Sequence, residues 1–150
     1  MKTEELKMSR RKILVVDDSA LVAEAVKAKL EANNYEVQLA YSGEEALDKV
    51  ANDVPDLMIL DVYMPGIDGF EVCRRLREKN ETQALPIVML SSRGNIKEKL
   101  QGFRVGADDY LVKEFDLLDL PYRVKLVFRL RGMDDDESHS NVMVQKPDIN

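Results

Sequence analysis

Two spacings of apolar residues alternate along this chain. Five short runs are almost continuously apolar: Lys12-Ile-Leu-Val-Val16, Glu36-Val-Gln-Leu-Ala40, Asp56-Leu-Met-Ile-Leu60, Pro86-Ile-Val-Met-Leu90 and Asp109-Tyr-Leu-Val112. Short β-branched runs bounded by polar groups predict strands. Between them, apolar residues recur at helical spacing: Val22, Ala25, Val26 and Leu30; Ala46, Leu47 and Val50; Val72, Cys73 and Leu76; Ile96, Leu100 and Phe103. Each group predicts an amphipathic helix. A last stripe, Leu117, Leu120, Val124 and Val127, predicts a helix from about Asp116 to Arg131. Pro121 would kink that helix or delay its start towards Asp119.

Ser19, Ser42, Asp68 and Asn95 stand where a helix N-cap is needed, and Asn33-Asn34 and Gly106 mark ends. Strand and helix therefore alternate. That order forces parallel pairing through right-handed crossovers, so the predicted fold is α/β, a five-stranded parallel sheet with helices on both faces.

At 150 residues, 45% hydrophobic and 33% charged, the chain fits one soluble domain. We assign residues 12–131 to it, residues 1–11 to a flexible N-terminal segment, and the aperiodic, acidic residues 132–150 to a disordered tail or linker. No stretch is apolar enough to span a bilayer, and Met1 to Arg11 is too polar for a secretory signal, which predicts a cytoplasmic protein without membrane contact. The net charge of −6 disfavours direct nucleic-acid binding and favours a protein partner. Cys73, the one cysteine, reads as a core side chain.

In parallel α/β sheets ligands gather beyond the carboxyl ends of the strands. There this chain carries Asp17-Asp18 after the first run, Asp61 after the third, Ser91 after the fourth and Lys113 after the fifth. Each alone could be a cap, a turn residue or surface charge. Three carboxylates together would repel one another and call for a cation, and such oxygen donors suit Mg²⁺. One Mg²⁺ and Lys113 would balance the three acids. A carboxylate so placed can act as nucleophile in phosphoryl transfer.

With those residues identified, the chain resembles the receiver domains of bacterial response regulators over about residues 11–131. Ile13-Leu-Val-Val-Asp17-Asp18-Ser19 is similar to the acidic-pair motif of that family, and Asp61-Val-Tyr-Met64-Pro65-Gly-Ile-Asp-Gly69 to its phosphoacceptor motif. Gly106-Ala-Asp-Asp-Tyr110-Leu-Val-Lys113 resembles the segment with its aromatic switch residue and lysine. The resemblance implies the flavodoxin-like (CheY-like) strand order 2-1-3-4-5. It implies that Asp61 is phosphorylated, that Asp18, Asp61 and the backbone carbonyl of Tyr63 bind Mg²⁺, and that Asp17 assists through water. Ser91 and Lys113 would hold the phosphoryl group. Ser91 would then move towards it and Tyr110 turn inward, remodelling the face of the fourth helix, fifth strand and fifth helix. A sensor histidine kinase or phosphotransfer protein is the implied donor, and an effector protein or a C-terminal effector domain the implied target. The protein would be a switch rather than an enzyme.

Two residues depart from the family pattern. Glu114 follows Lys113 where most members have proline after a cis bond; a trans bond is expected here, leaving the reach of Lys113 open. Pro121 falls on the helix through which many relatives dimerise, so a monomer or weak dimer is expected. Tyr63 and Arg93, each two residues beyond a site residue, are expected to overhang the site and to slow hydrolysis of the phosphoryl group. Two other classes remain in view: an aspartyl-phosphate phosphatase, which would want an acid where Tyr63 stands, and a receiver-like interaction module that is never phosphorylated. A phosphate-loop nucleotide binder is disfavoured by Asp17-Asp18 in the first turn.

Overall fold

The structure, a computed structural model, describes residues 10–133. The expected flexible N-terminal segment and acidic tail fall largely outside those residues. The strands are β1 (Lys12–Val16), β2 (Glu36–Ala40), β3 (Leu57–Leu60), β4 (Ile87–Ser91) and β5 (Asp109–Val112). The helices are α1 (Ala20–Glu31), α2 (Gly43–Asn52), α3 (Gly69–Arg77), α4 (Ile96–Arg104) and α5 (Leu120–Leu130), the last preceded by a helical turn Lys113–Asp116 and a 3-10 turn Leu117–Asp119. All pairings are parallel and the strand order is β2-β1-β3-β4-β5.

Successive strand residues point to opposite faces, so each run feeds two cores. Ile13, Val15, Leu57, Ile59, Val88, Leu90 and Leu111 pack with Val26 and Leu30 of α1 and Leu120, Val124 and Phe128 of α5. Leu14, Val16, Met58, Leu60, Ile87 and Met89 pack with Ala46 and Val50 of α2 and Val72, Cys73 and Leu76 of α3. Near-continuous hydrophobicity in the strands follows from cover on both sides. Each expected cap is made: Ser19, Ser42, Asp68 and Asn95 accept backbone N–H groups from Val22, Glu45, Glu71 and Glu98. Asn34 and Gly106 take the left-handed backbone that ends a helix.

Four expectations need correction. The third and fourth strands each begin one residue later than the apolar runs, at Leu57 and Ile87, because Asp56 turns its carboxylate back to the N–H of Lys12 and Pro86 has no N–H for the ladder. On α1, Ala23 rather than Ala25 is buried beside Val26 and Leu30. The apolar stripe of α4 does not face the core: Ile96, Leu100 and Phe103 are 75%, 49% and 47% exposed, and Gly102 faces inward instead. Finally, the last helix does not run from Asp116: of the two effects expected of Pro121 the delayed start is the one found, α5 beginning at Leu120 with Pro121 in its first turn, where an N–H would have no helical acceptor. Leu117 lies before the helix and still packs on the core.

Polar contacts anchor the last strand to α5. Arg123 makes two hydrogen bonds to Asp109 at 2.8 and 2.9 Å, and Arg131 holds Asp108 at 2.8 and 3.1 Å. They fix β5, and so the point where Lys113 emerges. Cys73 is fully buried, its thiol donates to the Val105 carbonyl, and burial pushes its pKa up to about 11, which keeps it a protonated core residue.

Candidate functional site

The site sits where β1, β3 and β5 end together. Asp61 follows β3 and its N–H donates to the Val16 carbonyl; Asp17 follows β1 and its N–H donates to the Ala40 carbonyl. These ladder bonds set both carboxylates at one edge of the sheet. The Asp17 carboxylate also accepts the Ser19 N–H at 2.9 Å, which turns the chain into α1. Asp17 and Asp61 are buried, Asp18 is exposed, and the three offer carboxylate oxygens within 4.8 Å of one another.

Lys113 reaches in from the far edge. Its Nζ lies 2.8 Å from Asp17 Oδ2 and 3.4 Å from Asp61 Oδ1. All described peptide bonds are trans, including Lys113–Glu114, and the lysine still spans the site. The turn is held by Asp116, whose carboxylate accepts the Val112 N–H at 2.8 Å.

Charge is unevenly matched here. Burial, then the charge of Asp17, raises the Asp61 pKa from 3.8 to about 6, with Lys113 pulling it down. Burial would lower the pKa of Lys113, but its hydrogen bond to Asp17 and the charge of Asp61 outweigh that and raise it. One lysine thus faces three acids. A hard divalent cation fits that donor set, since it would relieve the repulsion and take oxygen ligands from an exposed and a buried carboxylate.

Ser91 ends β4, fully buried, with its Oγ accepting the Arg93 N–H at 3.2 Å. Tyr110 is buried and its hydroxyl donates to the Arg93 carbonyl at 2.7 Å. Tyr63 does not point freely to solvent. Its hydroxyl donates to Glu98 Oε2 at 2.5 Å, its ring meets Phe70 edge-on, and the Arg93 guanidinium lies 4.4 Å from the ring centre. Burial, then the bond to Glu98, pushes its pKa up to about 12.

The sequence reading misses one contributor, Glu98, and the physical reason for another, Gly69. Glu98 stands three residues after Asn95, a spacing that suggests a local capping box, whereas its carboxylate reaches Tyr63 instead. Gly69 was read as part of a motif, but its reason is spatial: a Cβ there would lie 2.4 Å from the Asp61 carbonyl oxygen.

Comparison with known proteins agrees with this arrangement. Residues 13–125 match the family model described as the response regulator receiver domain. The response regulator MprA of Mycobacterium ulcerans is 43% identical over 138 residues, covering 92% of this chain and 59% of that protein. The chain therefore spans little more than half the length of such curated relatives. Among solved structures, the chemotaxis protein CheY4 of Vibrio cholerae matches with a TM-score of 0.74 at 36% identity, covering 79% of this chain and 98% of the other. The receiver domain of Francisella response regulator 1452 matches with a TM-score of 0.75 at 31% identity, covering 81% and 98%. No helix among the described residues is long and apolar enough to cross a membrane. With its parallel sheet in the order 2-1-3-4-5, its three acids opposed by one lysine and these matches, the chain belongs to the response regulator receiver domain family.

Proposed function

We propose that this chain is a phosphorylation-dependent switch in which Asp61 accepts a phosphoryl group from a sensor histidine kinase or phosphotransfer protein. The observation that carries the reading is the pairing of a buried Asp61 with Lys113 and two further acids at one sheet edge. An oxygen of Asp61 attacks phosphorus, the bond from phosphorus to the donor breaks, and the donor leaves with that electron pair. Lys113 compensates charge on the phosphoryl oxygens and the Ser91 hydroxyl donates to one of them. Asp18, Asp61 and the Tyr63 carbonyl would hold Mg²⁺, with Asp17 acting through water. When bound, the ion supplies positive charge against the incoming phosphoryl oxygens.

Rearrangement around Ser91 and Tyr110 would alter the face of α4, β5 and α5, where Ile96, Leu100, Phe103 and Tyr122 are exposed, and so control an effector. The protein acts as a switch whose own chemistry is limited to taking up and slowly losing one phosphoryl group. The test is intact mass after acetyl phosphate treatment. We expect one phosphoryl adduct with Mg²⁺, none with EDTA and none on Asp61→Asn; an adduct that survives either change would overturn the assignment.

The same reading gives Tyr63 and Arg93 control over the lifetime of the adduct. Their stacking keeps a bulky ring and a cation together beside the acceptor loop, and neither of these two side chains carries a carboxylate or amide of its own to orient water. Tyr63→Asn and Arg93→Glu are each expected to speed decay, followed by mass at constant Mg²⁺. Unchanged or slower decay in both would refute the shielding role.

A further inference from the structure

Helix α4 buries little apolar surface against the domain. Its large apolar residues face outward, and the residue it turns towards the core is Gly102, above the Tyr110 ring and Met89. So small a contact contributes little of the apolar burial that normally holds a helix down. A polar tie supplements it. Glu98 of α4 accepts the Tyr63 hydroxyl, and its side chain is only 15% exposed. Its other oxygen, Oε1, is buried without a hydrogen-bond partner. An orphaned oxygen on a buried carboxylate is costly, so the arrangement holds only while its neighbours stay in place.

Arg93 connects this tie to the rest of the site. Its guanidinium lies over the Tyr63 ring and 3.9 Å from Glu98, its N–H donates to Ser91, and its carbonyl accepts the Tyr110 hydroxyl. Without the Glu98 carboxylate, Tyr63 loses its acceptor and Arg93 its counter-charge together.

We propose that Glu98 is a positioning residue that holds Tyr63 and Arg93 in one stack, and through it the placement of α4 sets how long a phosphoryl group survives on Asp61. The proposal rests on Asp61 being the phosphoacceptor. In the step concerned, a water oxygen bonds to phosphorus and the bond from phosphorus to the Asp61 oxygen breaks. Its electron pair returns to the carboxylate, the water proton is lost, and inorganic phosphate departs. Glu98 touches none of these atoms; it keeps the two side chains that flank the acceptor loop from swinging away. Because Glu98 rides on α4, whatever displaces that helix loosens the stack, and the coupling runs in both directions.

The experiment follows decay of the adduct formed with acetyl phosphate and Mg²⁺ in wild type, Glu98→Ala, Glu98→Gln, Tyr63→Phe and the Glu98→Ala/Tyr63→Phe double variant. Glu98→Ala and Tyr63→Phe are each expected to shorten the half-life by roughly three- to tenfold, the range one net hydrogen bond supports. The double variant should decay no faster than the quicker single one, since both remove the same contact. Glu98→Gln keeps an acceptor for the Tyr63 hydroxyl and should restore most of the half-life, which a merely structural acid would not explain. An adduct that forms normally but decays alike in wild type and Glu98→Ala overturns the positioning role alone. Absence of any adduct on the wild-type protein overturns the reading of Asp61, and lifetime control with it.

Discussion

In metal-free buffer at about pH 8, Asp61→Asn is expected to be more stable than the wild-type protein by roughly 1–3 kcal/mol. The folded protein holds the Asp61 carboxyl at about 6 instead of 3.8, through burial first and the neighbouring Asp17 second. It therefore binds that proton more tightly than the unfolded chain does. Wild type consequently loses stability as pH rises from about 4 to about 6, and the deficit is complete above that window. Asparagine carries no charge to desolvate or repel, so its advantage should be largest at neutral and alkaline pH and vanish near pH 4. Urea unfolding in EDTA across that range measures it. Added Mg²⁺ should narrow the gap by stabilising wild type more than the variant, about 2.7 kcal/mol at a hundredfold excess over Kd. A variant no more stable than wild type at about pH 8, or one whose advantage grows on acidification, would show that these carboxylates are not in conflict.

Much of this was legible because it depends on local chemistry. Strand runs, caps and turn residues act within a few positions, and Ser19, Ser42, Asp68 and Asn95 each behave as their type demands. Strand ends set the site, since alternation of strand and helix brings Asp17, Asp61 and Lys113 to one edge whatever the details of packing. The outward stripe of α4 was not legible, because helical spacing says that Ile96, Leu100 and Phe103 share a face but not what covers it. The Tyr110 ring occupies the space beneath α4 and leaves room only for Gly102. Glu98 was hidden for a related reason. Its contact with Tyr63 joins residues 35 apart, and no period in the sequence encodes it.

Gly69→Ala is expected to damage both stability and chemistry, by a route that involves no change of charge. A Cβ at this position would lie 2.4 Å from the Asp61 carbonyl oxygen, 2.8 Å from the Val62 Cα and 3.1 Å from the Asp61 carbonyl carbon. All three are backbone atoms, so no flexible side chain can swing aside. The Gly69 N–H also donates to the Val62 carbonyl at 2.7 Å, which presses the start of α3 against the acceptor loop. Either α3 withdraws, exposing Phe70 and Val72, or the Asp61 backbone shifts and misplaces its carboxylate relative to Lys113. Overpacking of this kind costs about 1–3 kcal/mol, and a backbone-to-backbone clash belongs at or above the upper end. Gly132→Ala is the control, since its Cβ would meet nothing within 4 Å and only its left-handed backbone is disturbed. Urea unfolding should therefore separate the two variants clearly, and phosphoryl uptake from acetyl phosphate should fall for Gly69→Ala at temperatures where it remains folded. A Gly69→Ala protein as stable as Gly132→Ala and phosphorylated at the wild-type rate would mean that the acceptor loop yields freely, and that α3 does not brace Asp61.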